Sequence, residues 1–556
     1  MIIESIDGLL DEPHTVCVVG SGPVGITVAL ELARLGQHVT LIESGSLTPD
    51  VFAQGLSEAE RVDPRRNTDM ALAVQRSFEG TSNLWGAGCV PLDPVDFEPR
   101  AITGNAPWPV SYADFAEHLP AACRYANCGH VFEQELSGVD AADQRFSVSH
   151  LMRYADPPRF QKAYASEIAS SQRITLHLGV TVTGLRHTEN GALGAISVRG
   201  RDGRSGLVRA KAFILACGGV ETTRLLLSAQ ADAPGLYGGE DGPLGSYYMG
   251  HLSGAIADIR FKDDALDKGF DFFRLDDEYA RRRLTASAHF QQAQALSNIS
   301  FWPTLPAMHD PHHRDPVLSL AYLVLSMPPL GRRVVSESLR RINVGEGGNH
   351  LAHLRNVGAG LPGLAITLPR FLHGRFLARN RLPGLHLRNG AKRYVLHYHA
   401  EHLPNAQSRI RLSDQRDAMG MRRAILDLRF TTADADPILR THEHLARWLV
   451  DSGLGELIWH HPPSERLDRV LDLAGDGVHQ IGTLRMGMSS RHGVVDSDCR
   501  VFGAANLFIA GSAVFPTSGQ ANPTLSALAL GVRTAGRLAS EITSHEIVQG
   551  RVAHPA

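Results

Sequence analysis

Apolar and polar positions near the start of the chain predict a strand, a helix and a second strand in direct succession. Residues 16–19 form a short β-branched, apolar run that stops at Gly20. The following apolar positions repeat with helical spacing over residues 26–35. A second apolar run covers residues 39–42 and ends at Glu43. This pattern is typical of two buried parallel strands joined by a helix.

Three glycines occupy the turn between the first strand and the helix. Gly20 permits the tight turn, Gly22 lets the backbone approach a pyrophosphate, and Gly25 lets helix and strand pack closely. The start of the helix offers free N–H groups to phosphates, and Glu43 can accept hydrogen bonds from an adenosine ribose. Together these features predict dinucleotide binding, although a glycine-rich turn in an ordinary α/β unit is the alternative.

Later segments repeat the pattern of a buried strand that ends in small residues. Residues 212–217 form such a strand before Gly218, and residues 507–510 form another before Gly511. The second of these leads into a helix predicted from about Ser526 to Ile542. Between the two ends of the chain, residues 174–185 alternate as a strand does. The nucleotide-binding sheet is therefore expected to combine the start, the middle and the end of the chain.

Two other segments are candidate ligand-binding sites, one for a flat organic ligand and one for a metal. Residues 79–93 combine several glycines with Trp85, which is typical of backbone packed against a flat ligand, but a surface loop is the alternative. The chain has 27 histidines, so the histidine-rich run 309–315 is expected by chance and we predict no metal site there. Histidines 460 and 461 are interpreted in the same way.

Composition excludes several classes of protein. With 556 residues, the chain suggests more than one domain, and a formal net charge of −3 leaves no global nucleic-acid footprint. The six cysteines form no CxxC pair and no obvious disulfide framework. The first residues show no basic segment followed by a long apolar one, and no apolar run is long enough to span a bilayer. These features predict a reducing, cytoplasmic setting.

One stretch, residues 332–393, is strongly basic. Its acidic residues are Glu337 and Glu346. The basic residues are Arg332, Arg333, Arg340, Arg341, Arg355, Arg370, Arg375, Arg379, Arg381, Arg388, Lys392 and Arg393. Leucines and phenylalanines are interspersed among them. The stretch is either a solvated helical surface or a lobe that contacts anionic lipid or an anionic substrate.

The motifs in combination resemble the glucose–methanol–choline (GMC) oxidoreductases, flavoenzymes that oxidise alcohols. The segments 80–85 and 522–524 look closest to the branch that contains pyranose oxidases and bacterial sugar and glycoside oxidoreductases. The resemblance implies an α/β fold in which a Rossmann-type FAD-binding domain is combined with a discontinuous α+β substrate-binding domain, a large antiparallel sheet flanked by helices. Residues 1–105, 160–255 and 471–556 would form the first domain. Residues 106–159 and 256–470 would form the second.

The cofactor that the resemblance implies is FAD. Its implied binding residues are Gly20, Gly22, Pro23, Val24, Gly25, Glu43, Ser44, Gly80, Thr81, Asn83, Leu84, Trp85, Gly86, Val182, Cys217, Gly218, Gly511, Ser512, Pro523 and Thr524. Some family members attach FAD covalently through a histidine in the segment that matches residues 80–85. Leu84 occupies that position here, so noncovalent FAD is expected. Glu79 stands where the family usually has glycine, which predicts a local difference in that turn.

The implied catalytic pair is His479, in the sequence H-x-x-G-T, and Asn522, just before the last helix. A neutral imidazole is a suitable base for a hydroxyl proton. The amide of Asn522 can donate a hydrogen bond to the developing alkoxide.

The resemblance implies oxidation of a small-molecule alcohol, most simply on a sugar or glycoside, with O2 or an external acceptor taking the electrons. Two alternatives stay open. One is an alcohol that is not a sugar, and the other is an FAD-binding protein whose basic lobe docks to a membrane or partner with little turnover.

Overall fold

The computed structural model describes residues 1–136, 143–262, 264–335, 337–345, 348–378, 382–384 and 386–553. Glu346, Arg379 and Arg381 of the basic stretch lie outside the described residues. The strands are β1 (Ile2–Ile3), β2 (His14–Val19), β3 (Val39–Glu43), β4 (Ala59–Arg61), β5 (Gly88–Cys89), β6 (Phe146–Ser147), β7 (Leu151–Tyr154), β8 (Ile174–Leu178), β9 (Val180–His187), β10 (Leu193–Gly200), β11 (Ser205–Val208), β12 (Ala210–Leu215), β13 (His251–Gly254), β14 (Ala257–Phe261), β15 (Phe273–Leu275), β16 (Glu278–Arg282), β17 (Leu284–Ala286), β18 (Ile299–Thr304), β19 (Arg393–Glu401), β20 (Arg409–Arg416), β21 (Arg422–Asp427), β22 (Gly455–Trp459) and β23 (Leu507–Ile509).

The α-helices are α1 (Pro23–Arg34), α2 (Val51–Gly55), α3 (Met70–Ala73), α4 (Tyr112–Ala116), α5 (Leu119–Ala126), α6 (Phe160–Ser170), α7 (Gly219–Asp232), α8 (Asp264–Gly269), α9 (Ala288–Ala293), α10 (Pro316–Ser326), α11 (Pro328–Val334), α12 (Glu337–Val344), α13 (His350–Ala359), α14 (Leu361–Leu372), α15 (Thr432–Asp451), α16 (Arg466–Leu473) and α17 (Pro523–Ala553).

A six-stranded parallel sheet organises the two ends and the middle of the chain, as the apolar runs predicted. Its strand order is β1-β8-β3-β2-β12-β23, and each neighbouring pair is parallel. The central strands are buried on both faces, which explains why they consist of continuous apolar runs. Helices α1 and α17 pack against each other beside this sheet. The sheet brings segments from positions 14 to 509 to one carboxyl edge.

A second, antiparallel sheet forms a separate hydrophobic core. Its order is β22-β14-β19-β18-β17-β6, with β13 also pairing with β19. Residues of α15 and α16 complete this core, including the buried Trp448 and Val470. A buried ion pair links β19 to an early segment, because Arg100 Nη1 lies 2.6 Å from Glu401 Oε1. A parallel α/β sheet and a helix-flanked antiparallel sheet are therefore both present, as predicted.

Much of the basic stretch lies in a set of short helices that we call the helical lobe (residues 316–377). Helix α10 lies at its centre and packs against α11, α12, α13 and α14. Helix α12 also contacts α3. Among the described residues, no helix is both long enough and apolar enough to cross a bilayer.

The last helix differs from its predicted bounds. It begins at Pro523 rather than near Ser526, and it continues to Ala553. Proline is well suited to the first turn of a helix, because its fixed φ is helical and its missing N–H has no partner there. Asn522 therefore comes directly before the helix.

Candidate active site

The carboxyl ends of β2, β3, β12 and β23 open onto one cavity. Seventeen of the residues predicted to bind cofactor or substrate line it: Gly20, Gly22, Pro23, Val24, Glu43, Ser44, Gly80, Thr81, Trp85, Val182, Cys217, Gly218, His479, Gly511, Ser512, Pro523 and Thr524. Five do not contribute to its wall, namely Gly25, Asn83, Leu84, Gly86 and Asn522. The segments separated in sequence thus meet at a single site, as expected for the carboxyl edge of a parallel sheet.

The first glycine turn is closely packed on one side and open on the other. A Cβ on Gly20 would lie 2.6 Å from the Ala216 carbonyl oxygen, and one on Gly25 would overlap the Gly20 carbonyl oxygen. These two positions exclude any side chain. A Cβ on Gly22, in contrast, would meet no heavy atom within 4 Å. Gly22 therefore exposes bare backbone to the cavity at the start of α1.

Glu43 holds this turn in place. One of its carboxylate oxygens accepts hydrogen bonds from both the backbone N–H and the hydroxyl of Ser21, each at 3.0 Å. The other oxygen accepts the N–H of Gly45 at 2.8 Å. A carboxylate offers about four acceptor positions, so Glu43 can still bind a ribose hydroxyl while it fixes the backbone.

The glycine-rich segment forms a 3-10 turn from Gly80 to Asn83 at the cavity wall. Glu79, which precedes it, adopts a left-handed conformation with φ 72° and accepts the N–H of Gln161 at 2.5 Å. Burial raises the pKa of this carboxyl. The amide of Asn83 donates to the Gly80 carbonyl at 3.0 Å. Asn83 thus stabilises the turn, and Glu79 supplies the backbone geometry for which glycine is the usual residue.

A strained turn presents His479 to the cavity. Val478 has φ 63°, which is rare for a β-branched residue. Asp476 holds the turn, since its carboxylate accepts the hydroxyl of Thr68 at 2.8 Å and the N–H of Val478 at 3.0 Å. Strained backbone of this kind is retained when neighbouring contacts enforce it, and it concentrates at functional sites.

His479 belongs to a cluster of three histidines that sequence reasoning did not identify. Its Nδ1 lies 2.8 Å from Nδ1 of His251. The ring of His251 stacks on His399 with centroids 4.2 Å apart. Nδ1 of His399 donates to the Gln520 carbonyl, also at 2.8 Å. In the sequence, the single available signal was the alternation of His397 and His399 along β19, which places both on one face.

Burial keeps all three imidazoles neutral. Loss of solvation, together with the positive charge of Arg283, lowers the pKa of His479 to about 4. Burial also lowers the pKa values of His251 and His399 well below the usual range. A neutral imidazole has one free lone pair and can accept a proton.

Arg283 is a second feature that the sequence did not reveal. It is 2% exposed, and its guanidinium donates to the Ser300 hydroxyl at 3.0 Å and to the Gln520 side-chain oxygen at 2.8 Å. It also lies 4.6 Å from the ring centre of Trp302. Within the part of the chain that the structure describes, no carboxylate forms an ion pair with it. Burial lowers its pKa to about 10.

The loop before α17 brings Asn522 to the same region. The Asn522 amide donates to the Gly88 carbonyl at 3.1 Å, which leaves its second N–H hydrogen available. Two residues earlier, Gln520 contacts both His399 and Arg283. The ring centroids of His399 and His479 are 5.7 Å apart. His399 and Gln520 therefore connect the two residues predicted to be catalytic.

The cavity fits FAD on structural grounds. Gly22 and Gly511 line it, and a Cβ at either position would have no neighbour within 4 Å, so bare backbone can approach a ligand. The first residues of α1 and of α17 both contribute to the wall, and helix N termini favour negatively charged or electron-rich groups. Other lining residues, among them Met70, Gln75 and Arg76, lie in a polar segment without a recognisable motif.

Two described families match separate segments of the chain. A family described as "FAD binding domain" matches residues 15–239, and a family described as "GMC oxidoreductase" matches residues 404–531. The first match covers the glycine turn, and the second ends in the first turns of α17. The cofactor predicted from the sequence, FAD, is thus confirmed.

Individual relatives match this chain either over a short segment or at low sequence identity. A C-glycoside 3-oxidase from Microbacterium trichothecenolyticum is 37% identical over 142 residues, which is 25% of this chain and 26% of that protein. A second C-glycoside 3-oxidase, from Arthrobacter globiformis, is also matched over about a quarter of its length, 23%. A 6'''-hydroxyparomomycin C oxidase from Streptomyces lividus is 23% identical across 97% of this chain and 93% of that protein.

The fold agrees with a solved structure of the same architecture. Pyridoxine 4-oxidase from Mesorbium loti superposes with a TM-score of 0.52 and 17% sequence identity, over 94% of this chain and 99% of that one. The predicted fold class is therefore confirmed.

Proposed function

The chain belongs to the GMC oxidoreductase family, and we propose that it oxidises an alcohol group on a sugar or glycoside with FAD as cofactor. The observation that carries this proposal is the neutral, partly buried imidazole of His479 on the wall of the FAD cavity. Oxidation of an alcohol removes the proton from the hydroxyl oxygen and a hydride from the carbon that carries it. His479 accepts the proton, and the bound flavin supplies the hydride acceptor.

The hydrogen bond between His251 and His479 sets the tautomer of the base. Two neutral imidazoles with Nδ1 atoms 2.8 Å apart share one hydrogen between those atoms. Nε2 of His251 is buried and forms no hydrogen bond in the described chain, but the nearby backbone of Gly519 favours a hydrogen on this ring. We therefore assign the shared hydrogen to Nδ1 of His479, so that the one ring hydrogen of neutral His251 is on its Nε2. This leaves Nε2 of His479 free to accept the substrate proton.

Asn522 and Arg283 supply positive potential for the developing alkoxide. Asn522 has a second amide hydrogen to donate, and it carries no charge of its own. The Arg283 guanidinium is buried without a described carboxylate partner, so its charge is weakly screened. The same charge keeps His479 neutral before the reaction.

The proposed substrate class follows from the side chains near His399. Trp302 offers an aromatic face, and the His397 ring lies 4.8 Å from it. The Arg283 guanidinium lies over one face of the same tryptophan, so a sugar ring could stack only on the other face. An aromatic surface bordered by several hydrogen-bonding groups suits a sugar ring, which has apolar faces and a hydroxylated edge. The C-glycoside and aminoglycoside oxidases among the relatives support this proposal.

We also propose the two-domain division given above, with residues 1–105, 160–255 and 471–556 binding FAD and residues 106–159 and 256–470 binding substrate. After turnover, O2 or an external acceptor would take up the electrons. The cytoplasm is the proposed location. In support, all six cysteines are free thiols, as is usual in a reducing compartment.

FAD is expected to be held without a covalent bond. Leu84 occupies the position at which a histidine would be bonded to FAD, and a leucine side chain has no nucleophilic atom. Acid precipitation of the purified yellow protein should leave a colourless pellet and a yellow supernatant. A pellet that stays yellow after washing would contradict noncovalent binding.

Replacement of the base should stop substrate oxidation without loss of the cofactor. We expect His479→Ala to bind FAD and to lower the rate of anaerobic flavin reduction by ~10²–10⁴-fold, the usual contribution of a general base. The rate is measured as bleaching of the flavin absorbance with a panel of sugars and glycosides. If simple alcohols bleach the wild-type flavin and none of the sugars or glycosides does, the assignment of a sugar substrate is contradicted. Wild-type rates in His479→Ala would contradict the role of the base.

A pair of substitutions at His251 separates positioning from folding. His251→Leu removes the acceptor for the His479 Nδ1–H and should slow flavin reduction about tenfold or more. His251→Asn keeps an acceptor oxygen near the same place and should recover most of the rate. Both variants should retain FAD and the melting temperature of the wild type within a few degrees. Equal rates in the two variants would contradict the tautomer assignment.

A further inference from the structure

The helical lobe exposes an unusual amount of apolar surface. Nine of the exposed large hydrophobic side chains in the described chain lie between residues 327 and 377: Met327, Leu330, Val334, Leu351, Leu354, Leu361, Ile366, Leu372 and Leu377. Leu351 is 77% exposed and Leu377 is 76% exposed. Scattered exposed leucines are common on soluble proteins, but nine such side chains within one short set of helices indicate an interaction surface.

The exposed apolar residues of α13 and α14 form defined faces. On α13, Leu351, Leu354 and Arg355 follow helical spacing, while His353 on the other side is buried against Tyr322 of α10. On α14, Leu364 is the buried residue. Both helices pack against α10, so the sides that carry the exposed residues face away from it. We call these two sides the outer face of the lobe.

The charge of this region has one sign. The sequence contains no aspartate or glutamate from position 347 to position 400, against eight lysines and arginines. On the outer face, Arg355 and Arg370 are exposed. No described carboxylate forms an ion pair with either of them. The net charge of the whole chain is −3, so the rest of the molecule carries an excess of acidic residues.

We propose that the outer face of the lobe docks the protein on the surface of an anionic lipid bilayer. Leucine and isoleucine side chains enter the boundary between headgroups and acyl chains, and the arginines contact the lipid phosphates. The acidic remainder of the molecule is repelled by the same surface, which orients the lobe towards it. A second copy of the chain fits this face less well, because a twofold contact would oppose arginine to arginine without any acidic partner.

The test uses full-length, FAD-loaded protein in flotation with two kinds of vesicle, one of pure phosphatidylcholine and one of equal parts phosphatidylcholine and phosphatidylglycerol. We expect flotation with the anionic vesicles at low salt and about tenfold less at high salt, because salt screens the arginine–phosphate attraction. Leu354→Ser/Ile366→Ser should reduce the bound fraction about fivefold or more. Arg355→Gln/Arg370→Gln should do the same at low salt.

Matched controls place the same changes on another surface. Leu207→Ser/Met488→Ser removes exposed apolar residues elsewhere, and Arg199→Gln/Arg209→Gln removes the same amount of charge from β10 and its neighbourhood. Both controls should float like the wild type. Every variant is first checked for bound FAD and an unchanged melting temperature, and solution flavin reduction should stay at the wild-type rate, so this test is independent of the catalytic proposal.

Three results would overturn the docking proposal. The first is absence of flotation with anionic vesicles at low salt, and the second is equal flotation of wild type and both outer-face variants. The third is a dimer in analytical ultracentrifugation that Leu354→Ser/Ile366→Ser converts to monomer while vesicle binding is absent, which would assign the outer face to self-association.

Discussion

The hydrogen bond between the Nδ1 atoms of His251 and His479 is the constraint on which the proposed chemistry depends. At 2.8 Å it requires one ring to donate and the other to accept. His251 is fully buried, His479 is partly buried, and both rings are held neutral, so the shared hydrogen lies between two uncharged nitrogens. The direction of the bond decides whether His479 presents a lone pair or an N–H to a substrate. The remaining features of the site support this one arrangement.

The fold supplies that support from distant parts of the chain. Asp476 clamps the turn that carries His479, and Val478 accepts a conformation that β-branched residues rarely adopt. Such strain costs of the order of 1–3 kcal/mol and persists when surrounding contacts enforce it. Gln520 joins His399 to Arg283 on the other side of the cluster. The base is thus preorganised by residues that the antiparallel sheet and the last loop provide together.

The FAD-binding half was predictable because residues close together in the sequence determine its conformation. Gly20, Gly22 and Gly25 are spaced for one turn, and that turn determines both the strand before it and the helix after it. The structure begins α17 at Pro523, three residues before the predicted start, because proline is well suited to the first turn of a helix.

The partners of His479 were not predictable in the same way. His251, Arg283 and His399 lie on three different strands or strand ends, and no spacing in the sequence connects them. Their proximity is a result of the pairing of β13, β18 and β19 in the antiparallel sheet. A single histidine or arginine in a strand resembles an ordinary core or surface residue, so its role emerges only in three dimensions. The segment around Asn83 and Leu84 shows the reverse case. Its motif is recognisable in the sequence, but in the structure the Asn83 side chain stabilises its own turn and does not line the cavity.

The pH dependence of anaerobic flavin reduction tests the central claim most directly. If His479 is a partly buried, neutral base with a pKa of about 4, it is deprotonated at all pH values above that point. The rate should then be constant from about pH 6 to about pH 9 and fall only as the pH approaches 4. Arg283→Met should move the acidic fall to higher pH, because the lowering charge is gone. A wild-type rate that rises through about pH 6.5, the ordinary value for an exposed histidine, would contradict the account.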